Sequence, residues 1–286
     1  MLVTLKEILS WAEKNNSAVG AFNVPTLECV MAVISAAEEL DYPVIIQHAP
    51  LHEQYVPFET IAPIMLKAAK DAKVPVCVHF DHGDDLNQLA RALELGFTSI
   101  MYDGSSLPLE ENIKNTKIAV EMAKKYGASV EAEIGVMVRK ETTSYDEVVQ
   151  EMTDDMYTDP QQALYFYNQT KIDALAGSFG NVHGIYAKAP KLDYDRIAKI
   201  HELVQIPLVM HGGSGIDRKG YENSIIRGIR KINYYTYMAK AAGEYIASKN
   251  DYHFYHDVAM DAIKIMKENA KEAMLTFSMR NPSIKF

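Results

Sequence analysis

The segment Val78-His79-Phe80-Asp81-His82-Gly83 sets two imidazoles and a carboxylate within four residues at the end of an apolar run. That run, Val74 to Val78 with Pro75 near its start, reads as a buried strand. On an extended chain His79 and Asp81 share a face, and His82 comes last, where the strand gives way to a glycine loop. This placing favours His82 as a metal ligand and Asp81 as a neighbouring acid or base. A solvated loop with a satisfied core histidine has the same local pattern, so the reading turns on what other strands bring to the same place.

The elements that would position these groups repeat along the chain. Short β-rich runs, each followed by an amphipathic helical stretch, recur about every 25 to 35 residues. There are eight: Val19–Val24, Pro43–Gln47, Pro75–Phe80, Ser99–Asp103, Ser129–Ile134, Ala174–Phe179, Pro207–Met210 and Lys231–Tyr235. Helices fall at Leu27–Leu40, Asp85–Leu95 and Glu110–Tyr126. An open doubly wound sheet would need a glycine-rich phosphate turn after its first strand, and Asn23-Val24-Pro25-Thr26 is not one. The expected fold is therefore α/β, a (β/α)8 TIM barrel formed by residues 1–286 as a single domain, with extra helices beyond about Asp251.

In such a barrel the working groups stand at the carboxyl ends of the strands. Asp81 and His82 follow the third run, Asp103 and Ser105 the fourth, and Glu133 ends the fifth; His183 follows the sixth, His211 the seventh, and Asn233 ends the eighth. Any one of these histidines fits a capping or core role. Three at one rim, with a coordination position left open, make a catalytic zinc site. Two glycine-rich loops, Gly177–Gly184 and His211–Gly215, can turn backbone N–H groups toward an anion, with Ser214, Asn233 and Thr236 adding side-chain donors. The long polar segment Val136–Thr158 reads as a lid at the barrel mouth.

Composition narrows the partners. Among 286 residues, 48% are hydrophobic, ample for a large core, and the net charge of −9 argues against nucleic acid or an anionic membrane as partner. Small molecules or copies of the same chain remain. Cys29 and Cys77, the only cysteines, sit in apolar surroundings without a CxxC pairing and read as buried thiols of a reducing cytoplasm. Met1–Asn15 has the charged, helical spacing of a mature segment rather than a signal peptide, and no apolar run approaches membrane-spanning length. The expectation is a soluble cytoplasmic protein.

The ordered series GAFNVPTLE (residues 20–28), HFDHG (79–83), SIMYDGSSLPLEENI (99–113), VEAEIG (130–135), HGIYAKAPKLDYDRI (183–197), PLVMHGGSGI (207–216) and KIN (231–233) resembles the class II, zinc-dependent ketose-bisphosphate aldolases of fructose and tagatose type, over nearly the whole chain. The spacing after His183 is similar to the tagatose-type branch more than the fructose-type one. The resemblance implies one zinc per chain on His82, His183 and His211, with Glu133 as a nearby or alternate metal-site carboxylate that a monovalent or second divalent cation would use. It implies Asp81 as the catalytic acid/base, while Glu141, on the loop, is a candidate for the group that protonates the enediolate carbon. Asn23 and Asn233 would contact substrate, while Gly184, Lys188, Gly212, Gly213, Ser214 and Thr236 would hold its phosphate. The partner implied is a small sugar phosphate, and the assembly a homodimer or homotetramer.

The departures from that family bear on substrate. Tyr235 and Tyr237 stand where small or acidic residues are usual, Ala239 where a cation is usual, and Lys240 one place late. The second strand's exit, His48-Ala49-Pro50-Leu51-His52, lacks the usual hydroxyl-and-glycine sequence. The expected retained unit is dihydroxyacetone phosphate, with an aldehyde partner other than glyceraldehyde 3-phosphate or one bound more loosely. Rival readings are a Schiff-base aldolase using Lys231, a metal-dependent hydrolase barrel, which lacks its His-x-His here, and a barrel that binds metal and sugar phosphate without turnover.

Overall fold

The eight expected strands form, and they close on one another. The computed structural model describes residues 1–135, 156–181 and 190–279. In chain order the barrel strands are β2 (Val19–Asn23), β3 (Val44–His48), β4 (Val76–Gly83), β5 (Ser99–Tyr102), β6 (Ser129–Ile134), β7 (Ala174–Gly177), β8 (Leu208–Met210) and β9 (Ile229–Tyr234). Each pairs in parallel with its sequence neighbour, and β9 returns to β2 with Ala21 opposite Asn233, so no edge is left. A ninth strand, β1 (Leu2–Val3), adds outside the closed ring on β4. It is too short for a periodicity to announce it.

Helices follow the strands: α2 (Leu27–Leu40), α3 (Phe58–Asp71), α4 (Leu86–Leu95), α5 (Leu109–Tyr126), α6 (Pro160–Thr170), α7 (Tyr194–Val204), α8 (Arg218–Ile225) and α9 (Thr236–Ala247). Their starts are set by side-chain caps: Thr26 accepts from Cys29 N–H, Asp159 from Gln161 and Gln162 N–H, and Asp217 from Gly220 N–H. Gly96 and Gly127 end α4 and α5 in the left-handed region where a side chain is strained. The extra helix beyond the barrel is α10 (Tyr255–Phe277), which buries Met266, Ala270, Met274 and Phe277. Among the described residues no helix is long and apolar enough to cross a membrane.

Alternation along the strands makes two cores. Outward residues such as Phe22, Ile46, Val78, Phe80, Ile100, Val130 and Leu175 pack under the helices. Inward residues stack in layers whose character changes with height. The lowest is apolar: Val19, Ala21, Ile45, Cys77, Ala174, Ala176 and Val209 meet Leu5, Ile8, Leu9 and Ala12 of α1 (Leu5–Lys14), which seals the amino-terminal end. Above it lie His79, Ser99, Glu131 and Lys231, all without solvent exposure. The top layer is the site.

Candidate active site

Along β4, plain alternation would turn His82 away from the side that Asp81 faces. The backbone avoids this by placing His82 at φ +51°, in the left-handed region that costs a non-glycine residue about 1–3 kcal/mol, and by a register shift against β5 between Phe80 and Gly83. Adjacent residues thereby serve one site. Ligand atoms of Asp81, His82 and His211 all lie within 4.8 Å of one another, and all three residues are buried.

The hydrogen bonds around the two imidazoles assign their tautomers. Nδ1 of His82 lies 2.7 Å from Asp103 Oδ2, and Nε2 of His211 lies 2.8 Å from Glu131 Oε1. A carboxylate accepts, so each ring carries its proton there and turns its other nitrogen's lone pair inward. Those two nitrogens, His82 Nε2 and His211 Nδ1, face each other at 2.7 Å. Two lone pairs at that separation repel unless a cation or a shared proton stands with them, and imidazoles backed by carboxylates are the usual support of a metal. The donor set therefore fits a divalent ion of the zinc class, with a second group of donors in His82, Asp103 and Glu133 beside it. Glu133 Oε2 is buried without a hydrogen-bond partner among the described residues, and burial pushes its carboxyl up to about 7.

Asp81 is held by neutral amides. Gln47 Nε2 donates to its Oδ2 at 2.9 Å and also to Asn23 Oδ1 at 2.9 Å, while Asn233 Nδ2 lies 3.3 Å from both carboxylate oxygens. Burial alone would raise its pKa, but the surrounding positive charge, with Lys231 Nζ 3.8 Å away, outweighs that and holds Asp81 well below the usual carboxylate range. It is an ionised base whose position is fixed from three strands.

Beneath it, Lys231 Nζ lies 2.9 Å from Glu131 Oε2 and 3.8 Å from Asp81 Oδ1. Burial pushes Glu131 up, yet the Lys231 ammonium and the hydrogen bond from His211 bring it down to about 2. His79 completes this layer through Ser99 Oγ at 2.8 Å; burial lowers its pKa to about 3, so the ring stays neutral. Lys231 does point inward, as the Schiff-base reading requires, but it arrives as the partner of a buried carboxylate.

At the β8 exit, Gly212 adopts φ +59° and Gly215 φ +91°, and a Cβ on Gly215 would meet the Tyr237 ring at 2.8 Å. Tyr237 therefore lies against the glycine loop. Ser214 Oγ accepts from the Tyr235 N–H at 3.1 Å, and Thr236 opens α9 beside it. Gly212, Gly213, Ser214, Thr236, Asn23 and Asn233 thus gather at one rim. His183, Gly184, Lys188 and Glu141 lie outside the described residues, as does most of the Val136–Thr158 segment.

Three contributors escape a reading by strand ends alone, and a fourth is only half legible by it. Asp103 is legible as a strand-end carboxylate but not as the partner of His82. Gln47, Glu131 and Lys231 are inward residues within strands, and the signal available was a polar residue at an inward position of an otherwise apolar run.

The sequence pattern of the family described as fructose-bisphosphate aldolase class-II matches residues 3–281. The chain is 35% identical over 281 residues to a sulfofructosephosphate aldolase from Alkalicoccus urumqiensis, covering 96% of both chains. It is 40% identical over 235 residues to a fructose-bisphosphate aldolase from Geobacillus stearothermophilus, covering 81% of this chain and 80% of the relative. The crystal structure of the YdjI aldolase from Escherichia coli K12 superposes with a TM-score of 0.87 at 34% identity, covering 97% of each chain. A closed parallel barrel, a carboxylate-backed imidazole pair at its carboxyl-terminal rim and matches along nearly the full chain agree: this protein belongs to the class II fructose-bisphosphate aldolase family, whose members are metal-dependent lyases.

Proposed function

We propose that this aldolase cleaves, and in reverse forms, a ketose 1,6-bisphosphate or related ketose phosphate of fructose or tagatose type, retaining dihydroxyacetone phosphate and releasing an aldehyde. The observation that carries the reading is the convergence of His82 Nε2 and His211 Nδ1 beside the ionised Asp81. His82, His211 and, by family resemblance, His183 would hold one zinc. A zinc ion there supplies Lewis-acid stabilisation of the negative charge that develops on the ketone oxygen.

The protein's own groups do the rest. Asp81, kept ionised, takes the proton from the C4 hydroxyl in cleavage and returns it to the aldehyde oxygen in condensation. Gln47 and Asn233 keep its oxygens aimed during that exchange. Asn23, joined to the same network through Gln47, contacts the substrate hydroxyls. The Gly212–Gly213–Ser214 turn with Thr236 receives the phosphate of the retained half, supplemented by Gly184 and Lys188. Glu141 returns a proton to the carbon. Glu133, with its unpartnered oxygen and raised pKa, is the carboxylate available to an alternate metal position.

The deciding experiment is cleavage of fructose and tagatose 1,6-bisphosphates by the enzyme as purified, before and after chelation, with elemental analysis of wild type and His211→Ala. The expected result is about one zinc per chain, lost in the variant together with turnover. Metal at wild-type occupancy in His211→Ala, or turnover untouched by chelator, would overturn the assignment.

A further inference from the structure

β3 and β9 both flank β2, so the chain segments that leave them meet above the end of β2, where Asn23 stands. There the ring of His52, carried on the 3-10 turn Pro50–Gln54, lies 5.8 Å centroid to centroid from the ring of Tyr235. Tyr55 adds a third ring 6.5 Å from His52. His52 is only 4% exposed and near enough to Asp81 for its charge to act on it. The rings form a wall at the exits of β3 and β9, the strands whose ends carry Gln47 and Asn233.

The wall offers a donor without a charge. The Ala49 N–H donates to His52 Nδ1 at 3.2 Å, which leaves the proton of the neutral ring on Nε2. Burial favours that neutral ring, bringing its pKa down to about 4. Nε2 has no hydrogen-bond partner among the described residues. Solvent reaches that nitrogen, so a ligand oxygen can take the place of water there.

Among the described residues, the cations of the neighbouring elements are engaged elsewhere. Arg91, whose charge reaches His48 behind the wall, is held between Glu53 and Glu59, and Lys240 stands 3.7 Å from Glu244. Against such a surface a phosphate dianion forgoes the charge-assisted hydrogen bonds that a cation would give it. A polyhydroxy chain suits it better: C–H edges lie on aromatic faces, and a hydroxyl oxygen accepts from Nε2–H.

We propose that His52 and Tyr235 form the wall of the acceptor-aldehyde subsite, with His52 Nε2–H donating to a hydroxyl of an uncharged polyhydroxy aldehyde. His52 is then a specificity-determining residue of the aldol reaction. The inference rests on the aldolase reading of the Asp81, His82 and His211 centre and adds the chemical class of its second substrate.

The test uses the metal-loaded full chain and measures condensation of dihydroxyacetone phosphate with D-glyceraldehyde and with D-glyceraldehyde 3-phosphate. Wild type should show the higher kcat/KM with the uncharged aldehyde. His52→Ala should raise KM for glyceraldehyde roughly fivefold, as loss of one neutral hydrogen bond implies, with a smaller change for the phosphorylated aldehyde, and His52→Gln should recover part of it. His52→Lys should move the ratio of kcat/KM toward the phosphorylated aldehyde by about tenfold, the scale of one charge-assisted bond. A merely structural role would shift both aldehydes together, and that outcome overturns the proposal, as does a wild-type preference for glyceraldehyde 3-phosphate. Failure with both aldehydes, while solvent still exchanges with the α-proton of dihydroxyacetone phosphate, overturns the subsite alone. Loss of that exchange as well overturns the aldolase reading beneath it.

Discussion

Asp103 Oδ2 and His82 Nδ1 lie 2.7 Å apart across neighbouring strand ends, and that one hydrogen bond decides which nitrogen of His82 faces His211. The carboxylate is itself anchored, because Ser105 donates to its other oxygen from both backbone N–H, at 3.2 Å, and hydroxyl, at 2.7 Å.

Asp103→Asn should therefore weaken binding of the proposed zinc without removing one of its His82, His183 and His211 ligands. The amide still fills the space, but it no longer demands the Nδ1 proton. Loss of such a supporting carboxylate typically costs about 10–100-fold in metal affinity. Competition against a chromophoric chelator reads this directly, and an affinity equal to wild type would show that His82 needs no such support.

Asp81→Asn separates proton transfer from metal binding. An amide of the same shape keeps the contacts of Gln47 and Asn233 but cannot accept the C4 hydroxyl proton. Cleavage should fall by about 10²–10⁴-fold while zinc content stays at the wild-type level. Turnover matching wild type would make Asp81 structural.

Lys231→Met tests the buried pair and the Schiff-base alternative together. Removing one partner of a buried ion pair leaves Glu131 uncompensated, a change expected to cost about 3–5 kcal/mol on unfolding. Denaturant titration measures it. In parallel, borohydride treatment of wild type with substrate should give no stable adduct on Lys231; an adduct found by peptide mass analysis would restore the imine mechanism.

The clasp of α10 on α2 supplies a pH-dependent prediction. Lys267 Nζ lies 2.6 Å from Glu39, and Lys271 donates to the other oxygen of the same carboxylate. Those hydrogen bonds bring Glu39 down to about 2. A carboxyl depressed on folding adds stability above its unfolded pKa of about 4.3 and gives it up as pH falls toward 2. Because Glu39 is half exposed, the contribution is under about 1 kcal/mol. Glu39→Gln should lower stability at pH 7 by that small amount and converge with wild type near pH 2. A difference that grows on acidification would contradict the sign.

The barrel was legible because burial on both faces writes its strands as apolar runs, and each run precedes a helix with its own stop signal. Strand lengths were less so. β4 reads to Phe80 but continues to Gly83, since its last residues carry polar groups that an apolar pattern does not count. The rim histidines stood out by type and place. The relation of His82 to Asp81 did not, because a two-residue period turns neighbours apart and only a left-handed backbone reverses that. Glu131 and Lys231 look like isolated charges 100 residues apart until ring closure sets them face to face. His52 was legible only within a second-strand exit that departs from the family; its pairing was not, because the segment after β9 brings Tyr235 against it only on folding.

The helix α1 stoppers the barrel at its amino-terminal end, where Leu5, Ile8, Leu9 and Ala12 fill the bore. With that end filled, substrate, products and water share the opposite rim, the one at which Asp81, His82 and His211 stand, so whatever covers that rim governs both entry to the site and its exposure to water.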